Sequence, residues 1–222
     1  MFHLFRRRQV WIPTCPGLLL AIAALALATW FTLANIHPFL SVTERAEGAN
    51  ILVVEGWVSD TILEQQFTDF QIGEPYDYVC TVGATLDTGY YLSEYKTFAE
   101  LAANTIEKLG VPADRIIAAP TAAKLRDRTF HSALGFKEKY QSNTIPALSA
   151  ATAIDVLSSG THGRRTRIVF EKVVGEDLDV GIISPDPGSY DPDRWFASSQ
   201  GVKTVIIESI SLAYEWIGAT DR

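Results

Sequence analysis

Apolar and polar positions change period several times along the chain. From Gln9 to Val42 there is no Asp, Glu, Lys or Arg, and residues 16–35 are twenty uncharged positions dominated by Leu, Ala and Ile. A helix of that length measures about 30 Å, the thickness of a bilayer's hydrocarbon core. Beyond residue 50 the pattern shortens. Continuous apolar runs at 50–54, 78–82, 115–119, 153–158 and 179–183 read as strands buried on both faces. Helical spacing fills the intervals at 60–70, 94–109, 127–140, 163–174 and 200–217. Ser59, Ser93 and Asp127 stand at starts, and Gly110 and Gly175 at stops. Five alternations of strand and helix predict an α/β, three-layer Rossmann-like domain: a mostly parallel sheet of about five strands with helices on both faces.

Charge places the apolar run. Arg6, Arg7 and Arg8 precede it, whereas Arg45 follows it beside Glu44 and Glu47. Trp11 and Trp30 lie near its two ends, where amphipathic rings settle at headgroup level. The expectation is a single-pass anchor with a cytoplasmic N-terminus and an exported domain. The run is longer than export alone requires, which favours retention over a cleaved leader. The chain then divides into residues 1–40 (basic start and transmembrane anchor), 41–50 (polar tether) and 51–222 (one α/β domain). From residue 51 onward 15 Lys and Arg face 24 Asp and Glu, so bulk electrostatics exclude nucleic acid as a partner. Cys15 and Cys80 are too few for a disulfide framework, and the four histidines are scattered, so neither a metal nor another cofactor is expected.

In parallel sheets ligands bind outside the carboxyl ends of the strands. That rule selects four loops: Glu55-Gly56-Trp57, residues 83–94 ending in Ser93-Glu94, residues 120–129 with Lys124, Arg126, Arg128 and Thr129, and residues 158–165. The last combines Ser159, Thr161, His162 and Arg165 at a helix start, a grouping suited to phosphate or another oxyanion. Glu55 reads as a general base, as the orienter of an arginine, or as one half of a structural salt bridge. Glu94 reads equally as a first-turn acid on a helix dipole. Trp57 is a core aromatic or a shelf for a ring or lipid chain.

The order of these motifs resembles the ElyC/SanA/YdcF family: a strand then Glu55-Gly56-Trp57, Ser93-Glu94 opening a helix, Gly110-Val111-Pro112, Arg128-Thr129, and His162-x-x-Arg165. The resemblance spans residue 51 to about 216. It differs at Glu55, where many members carry glycine, and at residues 128–132, where many carry Asn-Thr-x-Glu-Asn. Residues 190–202 look like a subgroup found near exopolysaccharide systems. The resemblance implies a bacterial inner-membrane protein acting in lipid-carrier, peptidoglycan or exopolysaccharide metabolism, or else an accessory module of envelope synthesis. The site read from these loops has Arg126 and Arg165 clamping a phosphate, with His162 as acid/base or phosphate donor. Glu55 and Glu94 would orient them or act as base, Ser159 and Thr161 would add oxyanion contacts, and Gly56, Trp57, Ser93 and Thr129 would line the ligand.

Overall fold

The computed structural model of the chain describes residues 13–67, 76–122 and 127–218. It forms two compact units, Met1–Ile36 and His37–Arg222. Most of the first is helix α1 (Cys15–Leu40), whose last residues from His37 belong to the second unit. Its 26 residues are long and apolar enough to cross a membrane. Two polar side chains in it bond back to carbonyls one turn earlier, Thr32 to Ala28 and Asn35 to Phe31, at 3.0 and 2.7 Å. Such back-bonding is how a helix satisfies polar groups where no water is available.

The second unit runs β1 (Ile51–Glu55), α2 (Asp60–Phe67), β2 (Tyr78–Gly83), α3 (Phe98–Lys108), β3 (Ile116–Pro120), α4 (Arg128–Gln141), α5 (Pro146–Ser149), β4 (Ala153–Leu157), α6 (Gly163–Val174), β5 (Asp179–Ile183) and α7 (Ser199–Trp216). All five strands are parallel, in the order β3-β2-β1-β4-β5. Period-two alternation splits the core. Ile51 and Val53 share one face with Cys80, Val156 and Ile182, under Phe136 of α4 and Phe170 of α6. Leu52 and Val54 share the other with Val79 and Leu157, under Ile62 and Leu63 of α2 and Ile106 of α3. The expected α/β class with helices on both faces is what the chain adopts. In β3, Ile116 and Ala118 are only half-buried because that strand is an edge.

Two boundaries differ from the sequence pattern. The helix expected from Ser93-Glu94 begins four residues later, at Phe98. Thr97 and Glu100 form a reciprocal capping box there, and bonds from Leu86 N to Lys96 O and Phe98 N to Ala84 O hold the preceding loop extended. Residues 41–50, expected as a tether, are pinned to the sheet. Glu44 pairs antiparallel with Ile182, Thr43 Oγ1 accepts from Ser184 N, and Asp155 Oδ1 accepts from Ala46 N at 2.8 Å. The segment thereby covers the open edge of β5, which would otherwise expose unpaired backbone groups.

Candidate functional site

Strand order reverses between β1 and β4, which are hydrogen-bonded neighbours. The loops leaving their carboxyl ends therefore diverge and open a crevice, the usual ligand position in such sheets. A cavity of about 600 Å³ lies there, bounded by Trp57, the start of α4, His162 and Arg165 at the start of α6, and the outer turns of α7. A smaller one of about 250 Å³ adjoins it across Trp57 and His162, and Ser159, Thr161 and Tyr190 line it.

Four side chains form the polar floor of the larger cavity. Glu208, on α7, accepts from His162 Nδ1 with Oε1 and from Arg165 Nε with Oε2, each at 2.9 Å. Thr129 Oγ1 lies 3.3 Å from His162 Nε2 and 3.4 Å from Arg165 Nη1. A consistent proton assignment follows from these partners. Nδ1–H donates to Glu208, the Thr129 hydroxyl donates to Nε2, and Arg165 donates to the Thr129 oxygen. Arg165 Nη2 is 3.0 and 3.1 Å from the two ring nitrogens. Their in-plane lone pairs diverge, so one donor near both stacks over the ring rather than bonding to either. Trp57 closes the other side, edge-on to His162 at 4.9 Å between centroids.

This cluster is nearly dry, with Arg165 and His162 16% exposed and Glu208 11%. Burial by itself would raise the Glu208 carboxyl. The hydrogen bond from His162, together with the charge and hydrogen bond of Arg165, outweighs that and holds it at about 2. Tyr190 in the smaller cavity is pushed up, chiefly by burial, with the Thr161 hydroxyl acting in the opposite direction.

The expected residues therefore divide. Trp57, Thr129, His162 and Arg165 meet at the larger cavity, and Ser159 and Thr161 at the smaller one. Trp57 is 40% exposed and lines both cavities, so it is not a core ring. Glu55 lines neither cavity. It is fully buried, and its Oε2 accepts from Ser158 at 2.6 Å and Thr166 at 3.1 Å, tying the end of β1 to the turn into α6. Gly56 is also structural: a Cβ there would sit 2.4 Å from the Phe98 carbonyl oxygen. Ser93 and Glu94 stay in the loop before α3 and line neither cavity, because the helix they were to open starts at Phe98. Arg126 and Lys124 fall outside the described residues. The start of α6 offers fewer free N–H groups than expected, because a preceding 3-10 turn uses those of His162 and Gly163. Arg128 also lines the larger cavity, its exposed guanidinium 3.4 Å from Asp87, whereas Arg167 pairs with Glu44 and Glu171 and Arg164 with the Phe39 carbonyl.

Glu208 is the residue that sequence reasoning missed. Its signal was one acid inside Val205-Ile206-Ile207-Glu208-Ser209-Ile210, in register with the buried Gly201, Val205 and Leu212. Among the described residues no cluster of His, Cys, Asp and Glu has the makings of a metal site. Compared with family models, curated proteins and solved structures, the chain matches none.

Proposed function

We propose that this is a membrane-anchored envelope protein whose cavity between β1 and β4 takes the phosphate group of a lipid-linked or nucleotide-like ligand. The observation carrying this reading is the Glu208–His162–Thr129 chain with Arg165 beside it. Glu208 fixes the imidazole with Nε2 toward the Thr129 hydroxyl, and once a bound phosphate takes that hydroxyl's hydrogen bond, Nε2 can take a proton from a hydroxyl or water and return it. Arg165 spends Nε on Glu208 and keeps Nη1 and Nη2 on the cavity side. A phosphate would meet that end of the guanidinium together with the Thr129 hydroxyl. The ElyC/SanA/YdcF resemblance supports lipid-carrier, peptidoglycan or exopolysaccharide metabolism as the setting. The basic residues ahead of α1 support a cytoplasmic start and an exported domain.

One observation favours a second reading. Thr129, His162, Arg165 and Glu208 satisfy one another without a ligand, as they would in a binding or accessory module that performs no chemistry.

Purified full-length protein, incubated with polyprenyl phosphate, separates the two. Turnover abolished by His162→Gln with binding retained supports catalysis, and binding without product in the parent supports the module. In either case Arg165→Ala should cost about 2–5 kcal/mol of phosphate binding, and Arg165→Lys less. Arg167→Ala should leave binding unchanged, because Arg167 points to Glu44 and Glu171. Equal effects at 165 and 167, or none at either, would sink the phosphate site.

A further inference from the structure

Helix α7 is built inside out. Its buried face carries Gly201, Val205, Glu208, Leu212 and Glu215, so both acids of its second half point into the protein. Its exposed face carries Ile206 (49% exposed), Ile210 (65%), Tyr214 (41%) and, one residue past the end, Ile217 (80%). These lie within one narrow stripe at 100° per residue, and Ile207 borders it. From Ile206 to Ile217 every exposed residue is uncharged. In a domain with nine more acids than bases, a charge-free surface about 17 Å long calls for a partner that is apolar rather than cationic.

The C-terminal end of that stripe indicates which partner. The Trp216 ring lies 6.3 Å from that of Phe39, edge to face, and both side chains are exposed. Phe39 is only three residues beyond Ile36, the last residue of the apolar first unit. The Arg164 guanidinium lies 4.2 Å above the Phe39 ring and donates to its carbonyl. Two exposed aromatic rings and an arginine, gathered at the last turn of a helix long enough to cross a bilayer, are the chemistry of the lipid headgroup level.

We infer that the exposed face of α7 lies in the surface of the bilayer that α1 crosses, as an interfacial helix. Ile206, Ile210, Tyr214 and Ile217 enter the acyl boundary, with Trp216 and Phe39 at the headgroups. The attachment is apolar, so it persists in high salt, and the domain's excess of acids favours zwitterionic over anionic lipid. Ile207, Ile210 and Tyr214 also wall the 600 Å³ cavity, so its mouth comes to the lipid–water boundary. The inference rests on the membrane-anchored part of the proposed function and is independent of the ligand.

The test uses the full chain in phosphatidylcholine vesicles, with Cys15→Ser to remove the exposed thiol. Cys80 is fully buried and stays unlabelled. An environment-sensitive fluorophore is attached at Ile210→Cys or, as a control, at the exposed Lys108→Cys at the far end of α3. Vesicle insertion should shift the Ile210→Cys emission to the blue, and lipid bearing an acyl-chain nitroxide should then quench it by roughly half, leaving Lys108→Cys unchanged. Flotation of the same samples reports separately whether α1 holds the chain in the vesicles. Floating vesicles with an unquenched label at 210 overturn the inference while leaving the anchor intact. A label that is shielded from solvent but self-quenches between chains assigns the stripe to a second copy and overturns it as well.

Discussion

Replacing Glu208 by Gln removes one charge from the floor of the cavity and little volume. Glu208 holds His162 and Arg165 at 2.9 Å each, and its carboxyl falls from the usual 4.5 to about 2. At about 1.4 kcal/mol per pH unit, that drop corresponds to about 3 kcal/mol of stability at neutral pH. For a domain of this size the loss should lower Tm by about 6–12 °C. The direction with pH follows from the sign. A carboxyl whose folded pKa is depressed stabilises above its unfolded pKa and loses that contribution as pH falls through the folded one. The gap between parent and Glu208→Gln should thus be complete above pH 5, shrink below about 4.5, and be less than half its size near pH 3. Urea denaturation of the full chain in detergent, followed by far-ultraviolet circular dichroism across that range, measures the gap directly. A loss under about 0.5 kcal/mol at pH 7, or a gap that stays constant down to pH 3, would refute the assignment of Glu208 as the charge that organises the site.

Three further outcomes are expected. Gly56→Ala should destabilise by about 2–4 kcal/mol in the same denaturation assay, because the new Cβ meets backbone atoms of Phe98 and Val82 that cannot yield. Thr97→Ala should cost about 1 kcal/mol by loss of the capping box, with accelerated hydrogen exchange confined to the first turn of α3. A maleimide should modify Cys15 of the folded chain in detergent and spare Cys80, whose thiol burial pushes up to about 12; mass spectrometry of labelled peptides distinguishes them.

Local sequence determined a great deal of this protein. Strands buried on both faces have no choice but to be apolar throughout, so Ile51–Glu55 and Ala153–Leu157 were legible as runs. Helices that cover one face must repeat their apolar residues every three or four positions, which marked α6 to its last residue. The carboxyl-edge rule then drew attention to Trp57, Thr129, His162 and Arg165 before their meeting could be known. What only the tertiary structure decided was which charges face which. Glu55 and Glu208 are both single acids beside apolar residues. One is sealed under the hydroxyls of Ser158 and Thr166, and the other pairs with a histidine and an arginine more than forty positions away. Likewise Arg165 and Arg167 share a helix turn, yet one enters the cavity and the other reaches back to Glu44. Hydrophobic periodicity is written along the chain because each element must bury its own face. Partners for buried charge are chosen across the chain, where sequence separation carries no information about distance.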